Sequence, residues 1–110
     1  MRGDRERLLD VKESIERIER YASRGRTEFE ANELVQVWVV RHLEIIGEAV
    51  RGLTPEFRRR HPEVPWRQIA ALRNVLAHEY FDIDLQEVWA VVDGELPALG
   101  ASVTAILGEL

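Results

Sequence analysis

An arginine, an asparagine and a histidine lie close together in the second half of the chain, and their side chains are of the types that act on phosphodiester bonds. Arg73 and Asn74 open the string Arg-Asn-Val-Leu-Ala-His-Glu-Tyr, in which His78 follows and Tyr80 is last. Cleavage of RNA without a metal needs a base for the 2′-hydroxyl, an acid for the leaving oxygen and a cation for the phosphoryl charge. Histidine can be the base or the acid near neutral pH, and arginine is a permanent forked cation that suits phosphate. On spacing alone, an ion-paired arginine and a histidine at a helix C-terminus remain the stronger explanation.

The element that must position these residues is a predicted helix over about 66–79, which Pro65 opens. A stripe of small and polar residues at helical spacing predicts a contact face on it: Ala70, Arg73, Asn74 and Ala77. Arg73 and His78 are about 140° apart around an ideal helix, so one face cannot hold both. Two copies that face each other across a twofold axis would supply two histidines and two arginines. We therefore expect a site that is completed across a dimer interface.

The rest of the chain also has helical periodicity. Apolar residues recur every three or four positions, and helix-start and helix-stop residues separate further segments. These helices are predicted over about 4–23, 30–53, 54–61 and 85–107. Pro97 should kink or split the last of them near Gly94. Because strand-like alternation is missing from the sequence, it predicts a single all-α domain over residues 1–110, an up-and-down bundle of four or five helices.

The second of these helices is apolar on most sides over residues 35–50, so we expect one of its faces to meet another subunit. Arg41, Glu44 and Glu48 interrupt it as one polar stripe. Arg41 and Glu48 are candidates to line a cleft, Glu48 by pairing with Arg73, although a structural ion pair is the favoured role. The two glutamates have no matching histidine stripe, so no metal site is predicted.

Charge is unevenly distributed along the chain, although its net value is −5. Residues 51–73 hold six arginines and two glutamates, whereas residues 74–110 hold seven acids and neither lysine nor arginine. A basic stretch of this kind can bind phosphate even on an acidic protein, and solvated surface arginines explain it equally well. Arg58, Arg59 and Arg60 are the candidates to hold RNA or the acidic surface of a partner.

Three absences from the sequence bear on where the protein works. The chain has no cysteine, no continuous apolar run of membrane-spanning length and no signal-peptide pattern at its charged start. Together they lead us to expect a cytoplasmic protein that is not bound to a membrane.

The remaining histidines and the tryptophans are expected to be structural. His42 lies on a mostly apolar helix and is predicted to be a packing residue, whereas His61 follows the three arginines and is predicted to be solvated. Trp38, Trp66 and Trp89 are interpreted as anchors of a core or an interface rather than as platforms for RNA bases.

The full string from Arg73 to Tyr80 resembles the RNxxAHxY signature of the HepT-like toxins, a group within the HEPN superfamily. The wider superfamily motif is an arginine followed a few residues later by a histidine, and here four residues separate the two. Three other segments are also similar: Ile46-Gly47-Glu48-Ala49, Val64-Pro65-Trp66 and Leu85-Gln86-Glu87-Val88-Trp89. The resemblance covers most of the chain.

This resemblance implies a homodimeric α-helical bundle in which two motifs face a shared cleft. It implies a metal-independent endoribonuclease, the toxin of a type II or type VII toxin–antitoxin system, with Arg73 and His78 catalytic and Asn74 supporting them. The implied partner is a minimal nucleotidyltransferase, an antitoxin that can attach AMP to Tyr80 and so silence the toxin. ATP would be the substrate of that partner, so no cofactor is expected for this chain.

Two other functions are compatible with the same residues. The chain could be a non-catalytic helical module whose cleft holds a nucleotide or a partner protein. It could also be a regulated substrate for which the transfer of AMP to Tyr80 is the main event.

Overall fold

The computed structural model describes residues 3–78 and 84–110, and for residues 73–78 it describes the backbone. These parts are entirely helical apart from turns, and neither contains a β-strand, so the predicted all-α class is confirmed. The α-helices are α1 Asp4–Ala22, α2 Arg26–Ala31, α3 Glu33–Arg51, α4 Pro55–Arg60, α5 Trp66–His78, α6 Leu85–Ala90 and α7 Leu96–Glu109. A π-helical segment, Val91–Glu95, joins α6 to α7 in one continuous run.

Helix α3 lies at the centre of the packing, because both α1 and α5 pack on it, while α7 packs on α1. Its buried face repeats every three or four residues through Val39, Leu43, Ile46 and Val50. Complementary buried residues come from α1 and α7: Leu8, Val11, Ile15, Ile18, Leu96, Leu99, Val103 and Ile106. Burial of each large aliphatic side chain contributes about 1.5–3 kcal/mol, so this shared core is the main stabilising element of the fold.

The predicted second helix, about 30–53, begins too early. Asn32 ends one helix and caps the next, because its side-chain oxygen accepts from the backbone N–H groups of Leu34 (3.0 Å) and Val35 (3.3 Å). Gln36 then donates to the carbonyls of Phe29 (3.0 Å) and Glu30 (3.1 Å), which belong to the extra helix α2. Residues 3–78 and 84–110 therefore form six helical runs rather than the predicted four or five, because side-chain hydrogen bonds satisfy both helix ends at this break.

The predicted start of α4 is confirmed, and its capping residue also connects α4 to α1. The Thr54 hydroxyl accepts from the N–H of Phe57 (3.2 Å), as an N-cap does. The carboxylate of Asp4 accepts from the Thr54 N–H (2.9 Å) and from its hydroxyl (2.8 Å). The first turn of α1 is thereby tied to the first turn of α4.

The expected irregularity before Pro97 is also confirmed. Pro97 has no N–H to donate to the carbonyl of Asp93, and its ring crowds that carbonyl. The structure accommodates it with the π-helical segment, in which the N–H of Leu96 reaches back five residues to the carbonyl of Val91.

The run Leu85–Glu109 is long and apolar enough to cross a membrane by length and composition, although charged residues divide it, so the sequence still holds no continuous apolar run of that length. The run also carries the exposed acids Asp93 and Glu95 and packs on α1 through its buried residues. Only 28% of its most apolar window is buried within the chain, so apolar surface of this run remains open.

The cap at the start of α3 gives a test of the fold. Asn32→Ala should lower the free energy of unfolding by about 1 kcal/mol, because two N–H groups lose their acceptor. Asn32→Asp keeps an acceptor at this position and should unfold as the wild type does. Denaturant melts followed by circular dichroism measure both, and equal midpoints for the alanine variant and the wild type would contradict the cap.

Candidate active site

Helix α5, which carries the motif, is anchored to the bundle by its first turns. Trp66 is buried, packs on Phe57 of α4 with ring centroids 6.1 Å apart, and donates its indole N–H to the carbonyl of His61 (2.8 Å). Ile69 is buried and Leu72 packs against the same core. These contacts fix the direction of α5, and its rotation about its own axis, in the turns that precede Arg73.

The motif divides between two sides of α5. The backbone stays α-helical through His78, so ideal helical geometry applies to residues 66–78. Arg73 continues the line through Trp66 and Ala70, at i, i+4 and i+7, which is the side that meets the core. Asn74 and His78 do not share that line. Tyr80, the predicted AMP acceptor, lies outside the described residues.

The predicted contact stripe on α5 begins at a residue that already packs within the chain. Ala70 is half-buried and contacts the core of its own chain, so only part of its surface is open to a second subunit. The reason is the rotation of the helix, because Trp66 and Ile69 are both buried and carry Ala70 inward with them. The exposed side of these turns instead presents Arg67 and Ala71, which the sequence analysis did not single out. Counting helical register from the buried Trp66 would have found them.

The polar stripe on α3 is present as predicted. Arg41 is exposed, and its guanidinium lies 3.6 Å from the carboxylate of Glu44, which supports the structural ion pair for Arg41. Glu48 is exposed on the same helix. Towards the start of α3 the stripe becomes apolar, since Leu34 is 82% exposed and Val37 is 59% exposed. Near the start of α3, none of the described residues of the same chain packs over this face.

The three consecutive arginines of α4 have different surroundings. Arg58 is half-buried and donates from Nη2 to the carbonyls of Val50 and Arg51, both at 2.9 Å, at the C-terminal end of α3. Arg60 pairs with Glu56 at 2.8 Å, and Arg59 is exposed. Arg58 is a candidate to hold RNA or a partner, and its guanidinium also has a structural role at the end of α3, because the last carbonyls of that helix need donors.

The histidines outside the motif are both packed. His42 is buried, and its Nδ1 donates to the carbonyl of Trp38 at 2.8 Å, so its predicted packing role is confirmed. His61 was predicted to be solvated, which is wrong. Its ring packs on Phe57 with centroids 4.8 Å apart, and Nδ1 lies 3.7 Å from the carboxylate of Glu63.

The tryptophans are anchors, as predicted. Trp38 donates its indole N–H to the carbonyl of Arg17 (2.9 Å) and meets the ring of Tyr21 edge-on at 5.6 Å. Trp89 packs on Phe29 with ring centroids 5.4 Å apart. Within the part of the chain that the structure describes, no three histidine, aspartate or glutamate side chains converge as metal ligands.

Comparison with known proteins agrees with these features. The model of the family described as "Ribonuclease HepT-like" matches residues 11–106. A "Probable ribonuclease HepT" of Thermococcus cleftensis is 39% identical over 99 residues, which are 89% of this chain and 90% of the relative. A "Putative RNase" of Methanocaldococcus jannaschii is 36% identical over 100 residues, 90% of this chain and 92% of the relative. No solved structure matches the chain.

A second protein of Methanocaldococcus jannaschii, described as "Gamma-glutamylcyclotransferase and putative RNase", is 39% identical over 105 residues. These cover 94% of this chain and 47% of that relative, so the chain spans about half of its length. The family model spans most of this all-α chain, including the helix that carries the motif. The chain belongs to the HepT-like ribonuclease family.

Variants of Arg58 and Arg59 test whether Arg58 holds α4 against the end of α3. Arg58→Gln should lower the free energy of unfolding by about 1–2 kcal/mol, because two carbonyls at the end of α3 lose a charged donor. Arg59→Gln removes the same charge from an exposed neighbour and should stay within about 0.5 kcal/mol of the wild type. Equal denaturant midpoints for the two variants would refute the structural role of Arg58.

Proposed function

We propose that this chain is a metal-independent endoribonuclease. The observation that carries the proposal is the arginine–histidine motif of the family, which lies here on a helix that the bundle holds firmly at its start. In this proposal Arg73 and His78 are the catalytic residues and Asn74 supports them. The relatives described as ribonucleases add weight to RNA as the substrate.

The proposed chemistry is transfer of the phosphoryl group to the neighbouring 2′-oxygen. His78 takes the proton of the 2′-hydroxyl, the 2′-oxygen bonds to phosphorus, and the 5′-oxygen leaves and is protonated by a second histidine. Arg73 neutralises the charge that develops on the phosphoryl oxygens, and Asn74 orients the histidine or donates to phosphate. The products are one end with a 2′,3′-cyclic phosphate and one with a 5′-hydroxyl.

A second copy of the chain completes this site. Each chain supplies one motif histidine, whereas the reaction needs both a base and an acid. Arg73 and His78 also lie on different sides of α5, so a cleft between two copies lets the arginine of one act with the histidine of the other. The exposed Leu34 and Val37 on α3 support such an interface, because apolar surface of this kind is usually covered in an assembly.

The proposed biological role is that of a toxin that a minimal nucleotidyltransferase inhibits. AMP added to Tyr80, two residues after His78, would bring bulk and negative charge to the place where the RNA phosphate must sit. Repulsion between like charges and exclusion of the substrate would then both reduce cleavage.

His78 is expected to be essential for cleavage. His78→Ala should reduce cleavage of total RNA by about a hundredfold or more while the circular dichroism spectrum is unchanged, because general acid–base catalysis is lost. Gln68→Ala changes an exposed residue of the same helix and should cleave normally. Cleavage should persist in excess chelator, and new ends should carry cyclic phosphate.

Three results would count against this proposal. Undiminished cleavage by the His78→Ala variant would remove His78 from the reaction. Loss of cleavage with chelator, restored by a divalent cation, would contradict metal independence. If the wild type produces no new ends at all, the non-catalytic binding module becomes the better account.

Tyr80 is expected to be the residue that receives AMP. Incubation with the partner nucleotidyltransferase and ATP should add AMP to the wild type, detected as increments in intact mass, and should abolish cleavage. Tyr80→Phe should gain no AMP, because the acceptor oxygen is missing. Tyr21, the other tyrosine of the chain, packs beside Trp38, and Tyr21→Phe should be modified as the wild type is. AMP on the Tyr80→Phe variant would place the acceptor elsewhere.

A further inference from the structure

An exposed arginine of α5, Arg67, lies in the same helical line as two positions of the motif. Arg67 and Ala71 are both exposed, and the helix continues without a break to His78. In helical register, positions 67, 71, 74 and 78 are at i, i+4, i+7 and i+11, which is one line along the helix. Arg67 therefore shares its side of α5 with the positions of Asn74 and His78, about 10 Å and about 16 Å away along the axis.

In the part of the chain that the structure describes, Arg67 is one of the exposed arginines that no acid neutralises, as are Arg20 and Arg59, whereas other arginines of the chain are paired. Several of them pair with a glutamate three or four residues away: Arg17, Arg24, Arg26, Arg41 and Arg60. The residues three and four positions after Arg67 are Ala70 and Ala71, and the first turn of α5 contains no acid. Four positions earlier, Glu63 lies beside His61. Within residues 3–72 and 84–110, no ion-pair partner of Arg67 is found.

The position of Arg67 also lacks a role in folding. It is the second residue of its helix, where the macrodipole disfavours a cation, and its exposed side chain contributes nothing to the core. By contrast, Arg58 stabilises the end of α3 through two hydrogen bonds. What distinguishes Arg67 from unpaired arginines such as Arg20 and Arg59 is its place on the helical line of positions 74 and 78, where an RNA strand bound at the motif would pass.

We propose that Arg67 forms a second phosphate-binding site, which holds the RNA backbone a few nucleotides away from the bond that is cut. This inference rests on the proposed ribonuclease function and specifies how the substrate lies along α5. RNA carries one negative charge per nucleotide, so a strand that follows the helix axis from His78 towards Trp66 places another phosphate near Arg67. The contact is to the backbone alone, and it contributes affinity rather than base specificity.

The test separates binding from cleavage. Binding of a fluorescein-labelled, single-stranded RNA oligonucleotide of mixed sequence is measured by anisotropy at several KCl concentrations, with each variant made in a His78→Ala background so that the RNA stays intact. Arg67→Gln removes the charge, and Arg67→Lys keeps it. Arg20→Gln is the matched control, since Arg20 is exposed and lies near the end of α1. Cleavage of the same RNA is measured in proteins that retain His78.

We expect Arg67→Gln to weaken binding by roughly three- to tenfold at low salt and to reduce the slope of log affinity against log salt by about 0.7, the contribution of one phosphate contact on a single strand. Arg67→Lys should retain the slope, and Arg20→Gln should bind as its parent does. In cleavage, KM should rise for Arg67→Gln while kcat stays within about twofold, because the contact acts on substrate binding.

Equal affinity and equal salt slope for the Arg67→Gln and Arg20→Gln variants would overturn the second phosphate site, even if the wild type cleaves the RNA. Weakened binding of the nucleotidyltransferase with unchanged RNA binding would also overturn it and would assign Arg67 to a protein partner. Conversely, if Arg67→Gln weakens RNA binding as expected but the wild type does not cleave, the phosphate site stands and the ribonuclease proposal fails.

Discussion

Helix α3 packs on α1 with one side and on α5 with another, and these contacts determine where every other element lies. Its two ends are closed by side chains from outside its regular turns, Asn32 at the start and Arg58 at the end. Closure at both ends leaves few unsatisfied backbone groups on the one helix that must be buried on several sides. Helix α5 inherits its position from this arrangement, because Trp66 and Ile69 attach it to the same core.

The attachment of α5 explains why the motif does not form a single face. Rotation of the helix is set by Trp66. In ideal register, position 73 continues the line of the buried Trp66, whereas positions 74 and 78 continue the line of the exposed Arg67 and Ala71. A site that uses both lines needs groups from outside one helix, which is why the proposed function involves a second copy. The outward line also begins with an unpaired arginine, so the same rotation aligns the proposed phosphate contact with the histidine.

Local signals predicted those parts of the fold that are decided locally. Helix α1 was expected to within a residue of its observed ends, the Thr54 cap was correct, and the disturbance caused by Pro97 lies where expected. The break at Asn32 was missed although asparagine is a favoured N-cap residue. The boundary is marked by the cap hydrogen bonds and by the extended backbone of Asn32, at φ −120° and ψ 103°. The hydrogen bonds of Arg58 and the packing of His61 were also missed. Their partners, the end of α3 and the ring of Phe57, are brought to them by tertiary packing that the composition of a basic segment does not encode. For the site, the motif and its helix could be predicted, whereas the inward rotation of Ala70 depends on how α5 docks.

The π-helical segment, Val91–Glu95, makes the chain tolerant of a change in length at one place. The buried residues of the last run are four apart before and across this segment and then alternate between three and four: Val88, Val92, Leu96, Leu99, Val103 and Ile106. The same spacings keep these residues on one side of a uniform α-helix, so the wider turn is a consequence of Pro97 and not of the burial pattern. A turn closed by an i→i+5 hydrogen bond holds one residue more than an α-helical turn, so deleting a single residue here should restore regular hydrogen bonding and leave the rotation of α7 nearly unchanged. A deletion elsewhere in the run would instead rotate the apolar residues that follow it by about 100°.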